Sequence, residues 1–290
     1  MTKTSYSDEL QVAIEAARRA GAYLCESRND VDIARTKSGA KDYATHQDQE
    51  SERIILQEIE KRFPSDVVLA EESRPTHHDA ERLWIVDPLD GTRNYANGLT
   101  HFAVSIAFCH AGLVEAAAVY VPCDGEMFHA IRRHGAHLNG APLQMQTPSK
   151  SLEASLVATG FSYDQGADLH PHIEVFEQVM NVATDVLRFG SAATDICYVA
   201  AGRFGAYYES GLKPWDVAAA ALIVQEAGGI VSDLSGAPLD LFAKRGTTFR
   251  LNALAAKNAG IHSRLVELVG RPQTAEPTRP SYPTSPIDNT

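Results

Sequence analysis

Apolar residues recur at helical spacing near the start of the chain: Leu10, Ala13, Ile14, Ala17 and Leu24 share one face behind Ser7, a residue type that caps helices. A second stripe, Ile54, Ile55, Ile59 and Phe63, stops at Pro64, whose ring cannot continue a helix. The pattern then shortens. Val67-Val68-Leu69-Ala70 and Leu83-Trp84-Ile85-Val86 read as strands, and acids follow both, Glu71-Glu72 and Asp87. Between Phe102 and Ile131 the runs AVSIAF, LVEAAAVYV and EMFHAI, parted by AG and PCDG, predict an antiparallel meander.

The second half alternates. LVATG reads as a strand, followed by a helix around Ile173 to Val182, a helix from Ser191 to Ala201, and AYYE as a strand. A helix from Pro214 to Ala227 ends at Gly228-Gly229, the strand GIVSD follows, and a last helix runs from Ala259 to Leu268. This order predicts layered α and β elements.

At 290 residues the chain is one large domain or two tightly joined halves, about 1–150 and 151–270. Residues 271–290 hold five prolines and almost no large apolar side chain, which predicts a disordered tail. Hydrophobic residues at 44% and charged residues at 22% describe a folded chain. The net charge of −11 disfavours phosphate-backbone binding, so nucleic acid is not an expected partner, and it suits cations. Four cysteines without a C-x-x-C pair indicate neither a zinc cluster nor a disulfide framework and read as reduced core thiols. MTKTSYSDELQ lacks the apolar stretch of a signal peptide, and Val217–Val224 is too short to span a bilayer. No membrane partner and a cytoplasmic location are therefore expected.

The densest chemistry lies in Trp84–Asn94. A strand delivers Asp87 to its end, Pro88 fixes the turn, and Asp90 follows three residues on, so both carboxylates can converge on one cation. Gly91-Thr92-Arg93-Asn94 then reads as a helix start, whose N–H groups suit an anion such as phosphate. Glu71-Glu72 and Trp215-Asp216 also interrupt apolar runs with acid. Alone, Glu71-Glu72 reads as a solvated turn and Asp216 as a helix cap. Gathered together, these carboxylates would resist ionisation unless a divalent ion neutralised them.

These residues resemble the inositol monophosphatase family, within the lithium-sensitive, magnesium-dependent phosphatases. The family pattern D…EE…DP(I/L)DGT…WD appears here as Asp48, Glu71-Glu72, Asp87-Pro88-Leu89-Asp90-Gly91-Thr92 and Trp215-Asp216. Gly190-Ser191-Ala192-Ala193, Ala206 to Gly211 and Glu226-Ala227-Gly228-Gly229 agree with it, and the likeness covers roughly residues 8 to 268. It implies an αβαβα sandwich, a homodimer, and Mg²⁺-dependent hydrolysis of a small phosphate ester without a phosphoenzyme. One Mg²⁺ would be held by Glu71, Asp87 and the Leu89 carbonyl, and a second by Asp87, Asp90 and Asp216. A weaker third site would use Glu71 with Asp48 behind it. Thr92, oriented by Asp48, would activate water together with Glu71. Asp90, Gly91, Thr92, Gly190, Ser191, Ala192, Glu209 and Asp216 would bind substrate, with Glu209 receiving inositol hydroxyls. Lys37 matches a lysine near the family's mobile loop.

Departures from the pattern remove no ligand: Ala70 precedes Glu-Glu, Tyr95 follows Asn94, and Ala219 adds a methyl in WDVAA. His77-His78 reads as an exposed polar loop. The substrate reading is inositol monophosphate or a similar polyol phosphate. Alternatives are histidinol phosphate, fructose 1,6-bisphosphate or 3′-phosphoadenosine 5′-phosphate, and, from another class, a regulatory binding protein that retains the fold.

Overall fold

Two mixed sheets alternate with three helical layers in a computed structural model that describes residues 5–29, 31, 33–39, 42–73, 79–145, 151–161, 170–245 and 248–270. Helix α1 (Ser7–Glu26) is followed by the hairpin β1 (Ile33–Gly39) and β2 (Asp42–Thr45), then by α2 (His46–Arg62). The first large sheet has β3 (Val67–Ala70) parallel to β4 (Arg82–Asp90) at one edge. Beyond it, β5 (Ala103–His110), β6 (Leu113–Val121), β7 (Glu126–Ile131), β8 (Ala136–Leu138) and β9 (Ala141–Leu143) continue the antiparallel meander. The short α3 (Thr92–Ala96) lies between β4 and β5.

The second sheet has the order β11-β10-β12-β16-β13. Its strands are β10 (Leu156–Thr159), β11 (Asp185–Leu187), β12 (Ala206–Leu212), β13 (Ile230–Ser232) and β16 (Leu251–Ala256). Between them run α4 (His170–Met180), α5 (Ala192–Ala200), α6 (Pro214–Glu226) and the small hairpin β14 (Lys244–Arg245) and β15 (Thr248–Phe249), and α7 (Ala259–Val269) closes the fold.

The layers follow from where each helix hides its apolar side. Helices α1 and α2 bury Leu24, Ile55 and Ile59 against Trp84, Ile106 and Phe108 on the outer face of the first sheet. Helix α6, apolar all round, and α5 fill the space between the sheets, where a helix has no face to give to water. Helices α4 and α7 cover the far face of the second sheet over Val157, Tyr208 and Leu254. The result is an αβαβα sandwich. Ala219 is buried in an unbroken α6, so its extra methyl is accommodated.

Some expectations change. Ser7 is the first residue of α1, and Tyr6, with φ 63, stands at the cap position without a side-chain cap bond. Strand β4 continues past Val86 to Asp90. Among the four cysteines only Cys109 and Cys197 are buried, whereas Cys25 is exposed and Cys123 half-buried. His77-His78 and the segment 271–290 lie outside the described residues, as does the side chain of Lys37, whose backbone belongs to β1. Among the described residues no helix is long and apolar enough to cross a membrane.

Candidate active site

The pairing of β4 with β5 slips between Asp87 and Asp90, where Pro88 has no N–H for the ladder. The slip turns the chain so that both acids end the strand, and Leu89 N–H donates to Asp87 Oδ1 at 3.1 Å. Gly91 then takes φ 92, and a Cβ there would meet the His101 carbonyl at 3.1 Å, so the turn requires glycine. From α2, Ser51 Oγ donates to the Pro88 carbonyl at 2.7 Å and fixes the turn from behind.

The start of α2 also builds part of the site. Thr45 and Asp48 form a capping box, with Thr45 N–H donating to Asp48 Oδ2 at 2.8 Å. The other carboxylate oxygen of Asp48 receives the Thr92 hydroxyl at 2.9 Å, and the Leu89 carbonyl lies 3.1 Å from the same hydroxyl. Asp48 has no exposed surface, and burial raises its pKa to about 7, with Glu71 and Glu72 adding repulsion against the bonds from Thr45. One turn further along α2, Glu52 accepts from Glu72 N–H at 2.9 Å and from the Ser73 hydroxyl, which holds the Glu71-Glu72 corner.

Asp87 and Asp216 are both pushed well above the ordinary carboxylate range, first by burial and then by facing other carboxylates. For Asp87 these are Glu71, Asp90 and Asp216; for Asp216 they are Glu71, Asp90 and Glu209. Burial raises Asp90 to about 6 despite the lowering bonds from Ser191 and Ala193. Asp216 keeps its helix-capping bond as well, accepting from Lys213 N–H at 2.7 Å at the start of α6.

The second half of the fold closes on Asp90. Ser191 Oγ donates to Asp90 Oδ2 at 2.5 Å, and the N–H groups of Ala193 and Ala192 reach its two oxygens at 2.8 and 3.3 Å. Gly190, at φ 84, lies beside Asn94, whose amide holds the carbonyls of His101 and Phe189 at 2.7 Å each. Glu209, on β12, accepts from the Tyr207 hydroxyl at 2.5 Å, and burial raises it to about 7. Gly160 makes room for that carboxylate, because a Cβ at 160 would fall 1.9 Å from Glu209 Oε2.

The donor set is all oxygen and anionic, without cysteine or histidine, and this chemistry fits a hard divalent cation. Among the described residues no three His, Cys, Asp or Glu side chains already form a group that could hold an ion. What the fold supplies is proximity: neighbouring carboxylates lie close enough to Asp87 and Asp216 to oppose the ionisation of both.

Glu52, Gly160 and the His101–Asp195 pair, at 2.9 Å, escape sequence reasoning. Glu52 has one local signal, its place four residues after Asp48 on the same helix face. Gly160 and His101 have none, because their roles arise from contacts with β12 and α5.

An αβαβα sandwich with a carboxylate cluster on a strand-end DPLDGT turn defines the inositol monophosphatase class of folds. The chain belongs to the inositol monophosphatase family, whose model matches residues 5–268. It is 42% identical over 229 residues to a Vibrio cholerae protein named Nus factor SuhB, covering 78% of this chain and 85% of the relative. Its structure resembles the extragenic suppressor protein suhB of Bartonella henselae, with a TM-score of 0.82 and 35% identity, covering 91% of this chain and 98% of that one. It also resembles a Thermotoga maritima IMPase, with a TM-score of 0.79 and 34% identity over 91% and 97% of the two chains.

The relative named as a Nus factor corrects one expectation. A net charge of −11 does not make nucleic acid an unlikely partner of this chain. Whole-molecule charge describes long-range steering; it does not describe a local face or a contact made through another protein.

Proposed function

We propose that the chain is a Mg²⁺-dependent phosphomonoesterase acting on inositol monophosphate or a similar polyol phosphate. The observation that carries this reading is the gathering of Asp87, Asp90, Asp216 and Glu71 beside a Thr92 hydroxyl locked onto Asp48. Glu71, Asp87 and the Leu89 carbonyl would hold one ion, and Asp87, Asp90 and Asp216 a second; Glu71, with Asp48 behind it, would hold a weaker third. Bound there, the cation supplies positive charge to the phosphate and makes water a stronger acid. Thr92, its proton directed to Asp48, presents lone pairs that orient the attacking water, and Glu71 accepts the water's proton. The N–H groups of Gly91 and Thr92 face the phosphate, while Gly190, Ser191, Ala192 and Glu209 face the polyol, with Glu209 accepting its hydroxyls.

The relative's name favours a second reading, in which this chain works with the transcription machinery in the cytoplasm and retains the fold for binding. The two readings are compatible, since the acids lie inside the fold and a partner would meet its surface. Phosphate release from inositol 1-phosphate, histidinol phosphate, fructose 1,6-bisphosphate and 3′-phosphoadenosine 5′-phosphate, with Mg²⁺ and with chelator, tests the first. No release from any of them overturns it. Binding of the full chain to transcription elongation complexes, by wild type and Asp90→Asn alike, tests the second, and no binding by either sinks it.

A further inference from the structure

Away from the acidic cluster, two cysteines distant in sequence meet. On α1, Gly21 approaches the end of β6 so closely that a Cβ there would lie 2.6 Å from the Tyr120 ring and 3.1 Å from Pro122. Cys25 follows Gly21 by four residues and shares that helix face, and Cys123 follows Pro122 directly. The two thiols are close enough for Cys25 to oppose the ionisation of Cys123. Arg28, just past the end of α1, brings Nη1 to 3.8 Å from Cys123 Sγ and donates through Nη2 to the Gly98 carbonyl. Cys25 is exposed and Cys123 half-buried, while Cys109 and Cys197 are buried.

We propose that Cys25 and Cys123 form a dithiol site which a low-molecular-weight disulfide oxidises to an intramolecular disulfide. In the first exchange the Cys25 thiolate attacks one sulfur of the small disulfide, its S–S bond breaks, and one small thiol leaves. In the second, Cys123 gives up its proton and attacks Cys25 Sγ, and the second small thiol leaves. Two protein thiols are oxidised, and one small disulfide is reduced to two thiols.

The order follows from access. Cys25 is open to solvent, whereas burial pushes the Cys123 thiol up to about 11, with Cys25 opposing its ionisation and the Arg28 guanidinium favouring it. Cys123 therefore reacts only once a mixed disulfide stands beside it. The new bond would tie the end of α1 to the turn between β6 and β7. That same helix end holds Tyr95, whose hydroxyl donates to the Leu24 carbonyl at 2.9 Å and lies 3.1 Å from Ser27 Oγ. Tyr95 belongs to α3, which begins at Thr92, so the end of α1 that carries Cys25 is hydrogen-bonded to the helix that carries a proposed catalytic hydroxyl.

The test incubates the full chain with oxidised glutathione, then counts thiols and maps a non-reduced digest by mass spectrometry. The expected result is loss of two of the four thiols and one peptide pair joined through Cys25 and Cys123. Cys123→Ser should stop at a glutathione adduct on Cys25. Four intact thiols in the wild type, a stable glutathione adduct there without closure, or a bond between any other pair overturns the proposal.

Discussion

Ser191 Oγ lies 2.5 Å from Asp90 Oδ2, and this bond joins the end of the seven-stranded sheet to the first turn of α5. Ala193 N–H shares the same oxygen, so the carboxylate also caps α5 at its positive dipole end. These donors act against burial in setting the ionisation of Asp90. Ser191→Ala removes the shortest of them. A hydrogen bond to a charged group contributes about 2 kcal/mol, and a loss of that size is expected in denaturant unfolding with chelator present. An unchanged midpoint would mean that Ala193 alone suffices.

Asp90→Asn keeps the shape and one acceptor oxygen but removes the negative charge that the proposed ion and substrate share. Turnover is expected to fall roughly 100-fold or more, the scale of losing one charge-stabilising group, while the far-UV circular dichroism stays that of wild type. Full activity in this variant would remove Asp90 from the site.

Much of this arrangement is legible in the chain because its signals are local. Asp87-Pro88-Leu89-Asp90-Gly91-Thr92 combines a strand, a breaker, two acids and a glycine that the turn requires, and the structure uses each in that way. The interior strand β16 is not legible: LNALAA is short and alanine-rich, and it becomes a strand only by pairing with β12 on one side and β13 on the other. Glu52 and Gly160 are silent for a related reason, since one works on a corner 20 residues away and the other makes room for a carboxylate on a neighbouring strand. Net charge failed differently: it counted against a partner class on a property that no single surface need share.

Gly160 and Glu209 occupy nearly the same space, with the carboxylate carbon 2.3 Å from where a Cβ would stand. Gly160→Ala must therefore displace the Glu209 carboxylate, the flexible end of its side chain, from its place against the Tyr207 hydroxyl. If Glu209 receives polyol hydroxyls, both Gly160→Ala and Glu209→Ala should reduce turnover of inositol 1-phosphate more than that of a generic phosphate ester. Equal losses on the two substrates would deny Glu209 that role.

The raised carboxylates also predict how stability depends on pH. Folding lifts Asp90 to about 6 and Asp48 and Glu209 to about 7, against an unfolded value of roughly 4. Between these limits the folded chain holds protons that the unfolded chain has released, so stability falls as pH rises through that window. Asp87 and Asp216, also raised, act in the same direction. A divalent cation binds the deprotonated acids and offsets their repulsion, so its effect should have the opposite slope. With chelator, the melting temperature is expected to fall between pH 5 and pH 8; with saturating Mg²⁺ the increase over chelator should be larger at pH 8 than at pH 5. Asp216→Asn, which removes one of the repelling charges, should weaken both the decline and the Mg²⁺ increment. Equal stabilisation by Mg²⁺ at the two pH values would separate the ion from these carboxylates, and the proposed ligand set would fall with it.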